Sequence, residues 1–282
     1  MKIGILGMGT FGSTLAGYFS KLGHEIYTEE VKDTELIFVV VPSHAVFSAL
    51  QKEKDNISNQ KIVICSKGFS KNPKKSDKAM LISESLEGEF ENIFFLYGPT
   101  IADELKEGKL SGMVLAGGKG KEEIKKIIES EKLRIELDDD VIGVQIGASL
   151  KNVMTIFLGI IEESGCGQNT RSYAFTKCVE EIKNFGLALG AKEKTFLGLT
   201  CVGDLILCSR NRCLGIELAK GKGLEEITKE MNYIPQGIAN LQDAKRIAKE
   251  KGIKTPIIDS LYSILFENSP LNEAIKVLEK LN

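Results

Sequence analysis

The 282-residue chain has little of what metal-binding and disulfide-rich proteins need. Its six cysteines form no CxxC pair, and only two histidines, His24 and His44, could add nitrogen ligands. We therefore expect neither a zinc site nor a disulfide framework, and no bound metal. Cysteines without such spacing are typical of buried thiols in a reducing compartment, so the expected location is the cytoplasm.

The chain also lacks long apolar runs and blocks of like charge. Its longest unbroken apolar run, residues 36–41, is far shorter than the roughly 20 residues that span a bilayer. The first seven residues are too short and too interrupted by glycine to act as a signal peptide. The net charge is −2, and the largest block of like charge is the acidic trio at 138–140. We therefore expect no membrane span and no nucleic-acid partner.

The remaining composition is that of an ordinary globular protein. Hydrophobic residues make up 43% of the chain and charged residues 27%, which excludes a disordered or fibrous protein. A chain of this length suggests about two domains. The 28 glycines are about 10% of the residues, against a usual share of roughly 7%, and predict many tight turns or close backbone approaches.

The first half of the sequence alternates short apolar runs with amphipathic stretches. A strand is predicted at 2–6, and a helix at 11–22, where apolar residues recur at three- and four-residue spacing. Further strands are predicted at 24–28, 36–41, 61–65, 93–97, 114–116 and 134–137, with helices at 43–51 and 121–130. This alternation predicts a parallel, doubly wound sheet of the Rossmann type.

The pattern becomes helical after about residue 140. Residues 150–161 are apolar on nearly all sides and predict a helix buried in the protein. Further helices are predicted at 174–185, 216–220, 224–231, 238–249, 259–266 and 272–281. The predicted fold is therefore α/β, with a doubly wound domain at 1–140 followed by an all-α domain at 141–282.

A glycine-rich turn joins the first predicted strand to the first predicted helix. Gly7, Gly9 and Gly12 form the pattern GxGxxG in the strand–turn–helix context that gives it meaning. Gly7 would permit the tight turn, Gly9 the approach of a pyrophosphate, and Gly12 close packing of the helix on the strand. The pattern predicts a dinucleotide site at a helix N-terminus, and the alternative is a tight turn that binds nothing.

Two acidic residues lie where such a domain meets the adenosine ribose. Glu29 and Glu30 stand 17 and 18 residues after Gly12, at the end of the second predicted strand. A carboxylate there binds a free ribose 2′-hydroxyl and repels a 2′-phosphate, which favours NAD. The alternative is a pair of solvated surface glutamates.

Polar residues interrupt the apolar helix of the second half. Lys151 and Asn152 are predicted at its start, and Lys151 shares a face with Thr155 and Gly159. A lysine there is costly to desolvate unless it has a partner or a task, and it could act as a general acid. The alternative is a lysine whose amine reaches solvent.

Two further places offer groups for an anionic ligand. In the helical half, Asp204 is followed by Ser209, Arg210 and Asn211, where the guanidinium could grip a phosphate, and the alternative is a capping loop with surface arginines. In the first half, Lys67 lies just past a predicted strand, where a doubly wound sheet presents its ligand groups, and the alternative is an ordinary loop.

Taken together, these motifs resemble the NAD(P)-dependent glycerol-3-phosphate dehydrogenase family over nearly the whole chain. The resemblance implies reversible hydride transfer between NAD(P)H and dihydroxyacetone phosphate, giving sn-glycerol 3-phosphate for glycerophospholipid synthesis. The segments that carry it are GMGTFGSTLA (7–16), VPSHAV (41–46), SKG (66–68), YGPTIADEL (97–105), GVQIGASLKNVMTIFLGI (143–160), GQNTRSYAFTKCVEEIKNFGLALG (167–190), TFLGLTCVGDLILCSRNRCLG (195–215) and PQGIANLQDA (235–244).

The resemblance also implies a role for each matching residue. Lys151 would donate a proton to the substrate carbonyl, Asp204 would bind substrate and orient that lysine, and Lys67 would contact both substrate and cofactor. The other implied substrate-binding positions are Gly98, Thr100, Asn152, Ser209, Arg210 and Asn211. The implied positions for the cofactor, NAD or NADP, are Gly7, Gly9, Thr10, Phe11, Gly12, Glu29, Lys67, Ala102, Arg210, Ile234 and Gln236.

Two departures from the family pattern bear on function. Roughly 30 residues of the pattern are missing between the second and third predicted strands, where a dinucleotide-binding domain wraps the adenosine, so NAD and NADP both stay open. The segment between Asp204 and Arg210 is shorter than usual, which affects Ser209. The alternatives are a non-catalytic nucleotide or metabolite sensor and a related hydroxy-acid or 6-phosphogluconate-type dehydrogenase. The apolar second half would suit a homodimer, but no interface pattern is evident.

Overall fold

The computed structural model describes residues 1–207, 210–232 and 234–281. The chain divides into two compact units, Met1–Gln145 and Ile146–Asn282. The first unit combines a sheet with helices, and the described part of the second unit is built from helices. The predicted α/β class, with a helical second half, is confirmed.

Seven strands of the first unit form one sheet in the order β2-β1-β3-β4-β7-β8-β9. The strands β1 to β4 and β7 run parallel, as the alternation of strands and helices predicts. All four residues of β3 are buried, as in a parallel sheet covered on both faces. The bounds are β1 Lys2–Leu6, β2 Glu25–Tyr27, β3 Leu36–Val39, β4 Lys61–Ile64, β7 Ile93–Tyr97, β8 Ser111–Gly117 and β9 Leu133–Asp138.

The prediction of a wholly parallel sheet is wrong at one edge. Strand β8 pairs antiparallel to β7, and β9 then runs parallel to β8. The connection from β7 to β8 contains one short helix, α4 (Ala102–Lys106). Five helical residues rise only about 7.5 Å, whereas a five-residue strand is roughly 17 Å long. This helix is too short to bring the chain back to the start of the sheet, so the next strand runs in the opposite direction.

Three helices of the first unit lie at the predicted positions, whereas two short helices and a hairpin were missed. The helices are α1 Thr10–Lys21, α2 Val46–Lys52, α3 Ile82–Leu86, α4 and α5 Lys121–Ile128. Of these, α1, α2 and α5 were predicted, and α3 and α4 were not. Strands β5 (Phe69–Asn72) and β6 (Ser76–Leu81) pair antiparallel as a separate two-stranded sheet. Their sequences, FSKN and SDKAML, contain no β-branched apolar residue and no regular alternation, so periodicity alone does not reveal them.

The connection from β2 to β3, residues 28–35, crosses the sheet without a helix. Two parallel strands of one sheet are usually joined by a dozen or more residues that include a helix. Here Val31 is fully buried and packs where Gly4 has no side chain, since a Cβ at Gly4 would lie 2.9 Å from Val31 Cγ1. The Thr34 hydroxyl donates to Val31 O at 2.6 Å, and the Gln60 amide donates to Lys32 O at 3.0 Å. These contacts hold a short crossing in place of the usual helix.

The second unit is built around one long helix. Helix α6 (Val141–Glu163) starts in the first unit, and its residues 143–161 are all buried. By length and composition it could cross a membrane, but the whole of its apolar window is buried inside the protein. The prediction that Lys151 stands at the start of the helix is wrong. The helix begins ten residues earlier because the mixed stretch before residue 150 also packs inward.

The remaining helices pack against α6 or against each other. They are α7 Gln168–Ala188, α8 Asp204–Ile206, α9 Arg210–Ala219, α10 Leu224–Met231, α11 Gln236–Lys251, α12 Pro256–Phe266 and α13 Glu273–Lys280. Helix α9 crosses α6 where Gly215 meets Gly159, and a Cβ at either position would overlap backbone atoms of the other helix. Side chains of the usual size would therefore force these two helices apart.

Candidate active site

The glycine turn of the first unit has two glycines that the fold requires and one that it does not. Gly7 has a φ of +104°, and a Cβ there would lie 2.7 Å from Val40 O. A Cβ at Gly12 would overlap Gly7 O. Gly9 has an ordinary φ of −67°, and an added Cβ would meet no described atom within 4 Å. The space in front of Gly9 therefore fits a ligand that approaches the backbone closely, as a pyrophosphate does.

The N-terminus of α1 is also suited to an anion. Gly9 is its N-cap residue, so no side chain caps the first turn in this described segment. Backbone N–H groups at such an end attract phosphate oxygens. Thr10 is exposed and Phe11 is half-buried beside this end, while Glu29 is exposed two residues after β2. The structure therefore brings the predicted pyrophosphate contacts to one helix end, with the carboxylate at the end of the neighbouring strand β2.

Lys67 and Gly98 meet at the ends of two neighbouring parallel strands. Lys67 follows β4, is half-buried, and donates from Nζ to Gly98 O at 3.0 Å. Gly98 follows β7 directly and is itself closely packed, since a Cβ there would lie 2.6 Å from Gly112 O. The carboxyl ends of parallel strands are where ligands bind in such sheets.

A buried hydroxyl lies two residues beyond Gly98. The Thr100 Oγ1 atom is buried and has no hydrogen-bond partner within the described ranges. A buried hydroxyl without a hydrogen-bond partner costs free energy. Such a group indicates a place where a bound ligand can form the missing hydrogen bond. Ala102, a predicted cofactor contact, is half-buried at the first position of α4. These residues and Lys67 form a polar group at the end of the sheet.

A buried ion pair lies in the middle of α6. The Lys151 Nζ and Asp204 Oδ1 atoms are 2.9 Å apart, and the two side chains are 7% and 1% exposed. The alternative in which the lysine reaches solvent is therefore wrong. Placing two charges in the interior costs several kcal/mol per ion before their attraction is counted, so such a pair is a poor way to add stability. A buried pair of oppositely charged side chains is typical of a functional site.

A buried thiol, that of Cys201, lies close in the chain to Asp204. Asp204 is the first residue of α8, and Cys201 lies in the turn before it. Burial, with the Asp204 charge as a smaller cause, raises the pKa of Cys201 to about 12. The thiol is therefore neutral at physiological pH.

Two asparagines connect the lysine-bearing helix to its neighbours. Asn211 donates from Nδ2 to Asn152 Oδ1 at 3.1 Å and accepts the Gly237 N–H at 2.9 Å. Both side chains are buried. The predicted substrate contact of Asn211 can therefore use the second hydrogen of its amide or the second lone pair of its oxygen.

The other predicted residues of the second unit lie at helix starts or outside the described ranges. Arg210 is exposed at the first position of α9, and Gln236 is half-buried at the first position of α11. Ile234 is 69% exposed. Ser209 lies outside the described residues. The two helix starts and the exposed isoleucine are accessible to a ligand.

The thiols only partly follow the prediction that they are buried. Cys65, Cys178 and Cys201 are buried, but Cys166 is half-buried and Cys213 is exposed because it lies on an outer face of α9. Cys208 is not among the described residues. In the described chain, no group of three or more His, Cys, Asp or Glu side chains is placed to hold a metal ion.

Sequence reasoning missed one polar residue that contacts the lysine-bearing helix. The Asn240 Nδ2 donates to Ser149 O at 3.0 Å, and Asn240 is 2% exposed. Asn240 precedes Leu241 on the buried face of α11, and a polar residue at a buried helical position was the available signal.

Family models match both halves of the chain. The N-terminal model of NAD-dependent glycerol-3-phosphate dehydrogenase matches residues 27–124, and the C-terminal model matches residues 140–276. The glycine turn at 7–12 lies before the first matched segment. The second match includes Lys151, Asp204 and Arg210.

Full-length relatives and a solved structure agree with these matches. Glycerol-3-phosphate dehydrogenase [NAD(P)+] of Thermoanaerobacter sp. is 32% identical over 319 positions, which cover 98% of this chain and 96% of the relative. That span exceeds the 282 residues of this chain, so the relative has segments that this chain lacks. The enzyme of Fusobacterium nucleatum is 35% identical over 89% of this chain and 77% of its own length.

The fold is similar to that of a solved glycerol-3-phosphate dehydrogenase from Coxiella burnetii. The TM-score is 0.90 at 23% identity, with 99% of both chains covered. This likeness shows the shared fold, while the sequence matches show the kinship. The chain belongs to the NAD(P)-dependent glycerol-3-phosphate dehydrogenase family of oxidoreductases.

Proposed function

We propose that this protein catalyses reversible hydride transfer between NAD(P)H and dihydroxyacetone phosphate, which gives sn-glycerol 3-phosphate. Residues 1–140 would bind the dinucleotide and residues 141–282 would bind the substrate. The observation that carries the proposal is the buried pair of Lys151 and Asp204, 2.9 Å apart, on a chain whose full-length relatives bear this activity in their names.

Lys151 is the proposed proton donor. A bound NAD(P)H supplies a hydride to C2 of the substrate, and the carbonyl oxygen must take up one proton to become a hydroxyl. The amine of Lys151 donates that proton, and in the reverse direction the neutral amine accepts it. Asp204 holds the amine at one position, so the donor does not need to be reoriented during the reaction.

The first unit supplies the proposed cofactor site and part of the substrate site. Gly7, Gly9 and Gly12, with Thr10 and Phe11, would cradle the pyrophosphate, and Glu29 would bind the adenosine ribose. Lys67 would add positive charge near the developing alkoxide, where a fixed charge stabilises the transition state more than the ground state. The unpaired Thr100 hydroxyl, with Gly98 and Ala102 beside it, would complete the ligand contacts of this edge.

The second unit supplies the proposed phosphate grip. Arg210 presents a planar guanidinium at the exposed start of α9, a geometry that matches phosphate oxygens. Asn152, Asn211 and Ser209 would assist it, and Ile234 and Gln236 would contact the cofactor. Phosphate binding is remote from the reacting carbon, so its binding energy can orient C2.

The test is steady-state oxidation of NADH and NADPH in the presence of dihydroxyacetone phosphate. We expect both the loss of cofactor absorbance at 340 nm, a standard dehydrogenase signal, and equimolar glycerol 3-phosphate. Binding of the substrate without turnover would support the sensor instead. Turnover only with a hydroxy acid or a sugar-acid phosphate would support the related dehydrogenase. The NADH-to-NADPH ratio of kcat/KM decides the cofactor preference that Glu29 predicts.

Two further features belong to the same proposal. We place the protein in the cytoplasm, where its product would enter phospholipid synthesis, and fractionation of cells checks the location. We also propose a homodimer, on the apolar character of the helical half. Sedimentation equilibrium at several protein concentrations tests this, and a mass of one chain throughout would rule it out.

A further inference from the structure

Helix α11 touches α6 at two points, one through a hydrogen bond and one through close packing, at α6 residues that precede and follow Lys151 in the chain. At one point, the buried Asn240 Nδ2 donates to Ser149 O at 3.0 Å. At the other, Gly237 packs against Asn152, where an added Cβ would overlap the carbonyl oxygen. Lys151 lies between the two α6 residues that take part.

A side chain from a third helix strengthens the second point. The carbonyl oxygen of Asn211, on α9, accepts the Gly237 N–H at 2.9 Å, and its amide donates to Asn152 Oδ1 at 3.1 Å. Asn211 therefore caps the first turn of α11 and binds the side chain next to Lys151 at the same time. No methyl group can be added at Gly237 without disturbing this arrangement, since a Cβ would lie 2.7 Å from Asn211 Oδ1.

The spacing of the two points fixes the helices against sliding and rotation. The contacts are three residues apart on α11, at 237 and 240, and three apart on α6, at 149 and 152. Three helical residues rise about 4.5 Å, close to one turn, so both contacts fall on one face of each helix. Two contacts on matching turns define both the axial position and the angle of the first turn of α11.

Beyond this turn, the described buried face of α11 is apolar. Its buried residues there are Leu241, Ala244, Ile247 and Ala248. Apolar packing provides stability without a specific register, whereas a buried amide with a single partner selects one arrangement. The register of α11 is thus specified at its first turn, which begins with Gln236, against the segment of α6 that contains Lys151.

We propose that Asn240 is a positioning residue, which holds the first turn of α11 in register with the segment of α6 that carries Lys151. This inference rests on the proposed function, because the group to be positioned is the proton donor of that reaction. Asn240 touches neither substrate nor cofactor in this role. It acts through Ser149 O on one side and through the start of α11 on the other.

The test replaces Asn240 with Leu, which has a similar volume and no hydrogen-bond donor. Gln242→Leu is the matched control, because it also removes an amide from α11, but at an exposed position. We expect kcat of Asn240→Leu to fall about tenfold or more, since displacements near 1 Å can cost about a hundredfold. The KM for dihydroxyacetone phosphate should change less than about threefold, because Arg210, the main group of the proposed phosphate grip, lies on another helix, α9. Gln242→Leu should leave both constants within about twofold.

Hydrogen exchange of the unliganded protein gives a second measurement that does not depend on turnover. Amides at 236–240 should exchange faster in Asn240→Leu than in the wild type or in Gln242→Leu. If Asn240→Leu does not fold, Asn240→Ala removes the same bond with a smaller side chain. Failure of both to fold would show a purely structural role and overturn the proposal.

The outcomes separate this inference from the proposed function. An active wild type with an unchanged kcat in the folded Asn240 variant overturns the inference alone. A fall in apparent kcat that equals the unfolded fraction of the variant also overturns it. A wild type that binds but does not reduce dihydroxyacetone phosphate overturns the proposed function, whatever the exchange data show.

Discussion

Replacement of Lys151 by Met should separate the catalytic role of the buried ion pair from its effect on stability. Methionine has nearly the length of lysine and no charge, so the substitution removes the cation 2.9 Å from Asp204 while filling most of the space. The carboxylate that stays behind is 1% exposed. Breaking one side of a buried pair costs about 3–5 kcal/mol, because a buried charge loses its compensation.

The double variant Lys151→Met/Asp204→Leu tests that interpretation. It replaces both charges with apolar groups, and such replacements are often neutral or stabilising. We expect the single variant to lose on the order of 10 °C in Tm, and the double variant to regain most of it. Both should lose at least about a hundredfold in kcat, the scale of a missing acid–base group.

Calorimetry, chemical unfolding and steady-state kinetics on the same preparations provide the measurements. The reasoning would be refuted by a Lys151→Met enzyme with near-normal kcat, because the reduction would then have another proton source. A single variant as stable as the wild type would show that the buried charge of Asp204 is compensated elsewhere. Recovery of activity in the double variant would contradict the assigned roles of both residues.

Three other predictions concern the glycine turn, the unpaired hydroxyl and a buried carboxyl. Gly9→Ala should keep the wild-type Tm but raise the KM for NADH about tenfold or more. Gly12→Ala should lower the Tm, because its Cβ would overlap Gly7 O. Equal changes of Tm in the two variants would contradict this. Thr100→Val should leave the free energy of unfolding unchanged, since Thr100 Oγ1 has no hydrogen-bond partner in the described protein. The same variant should raise the KM for dihydroxyacetone phosphate. An unaltered KM would show that Thr100 is not part of the substrate site. Burial raises the pKa of Glu181 to about 7, outweighing two backbone N–H donors from α12, so the folded protein holds that proton more tightly than the unfolded chain. The resulting contribution to the free energy of unfolding is fully present below pH 4.5 and is lost as the pH rises through about 7. The loss amounts to about 3 kcal/mol. Glu181→Gln should abolish this pH dependence of the free energy of unfolding, measured with urea.

The periodicity of apolar residues predicted most strands and helices of the first unit, but it did not predict which strands pair antiparallel. The strand, turn and helix around 2–22 follow from apolar periodicity and from glycines at fixed spacing, all within one stretch of chain. The reversal at β8 depends on how far a five-residue helix reaches, and the hairpin of β5 and β6 depends on pairing between two polar segments. Neither property is encoded in the periodicity of the segments themselves.

The family resemblance identified candidate residues and paired Lys151 with Asp204, but it did not supply distances or the bounds of the helices. Lys151 was placed at a helix start and is in fact eleven residues into α6, because helix length was judged from apolar residues alone. The individual roles of the proposed site residues, and the boundary near residue 140, stay predictions. Asn240 carried no motif, and its importance became visible only through its partner.

The amino-acid sequence was enough to predict the glycine turn at Gly7–Gly12, the alternation of strands and helices in a doubly wound sheet, and the helical second half. It was also enough to identify the family. These properties depend on neighbours within about one helical turn or one strand, or on direct sequence likeness. Only the tertiary structure revealed that Lys67 meets Gly98 across 31 positions and that Asn240 meets Ser149 across 91. It also gave the 2.9 Å contact between Lys151 and Asp204, a pair that the resemblance implied. Such pairs form because whole helices and strands pack closely against each other, and this packing depends on many contacts between distant parts of the chain. No single segment of the sequence therefore indicates which distant residue its side chains will meet.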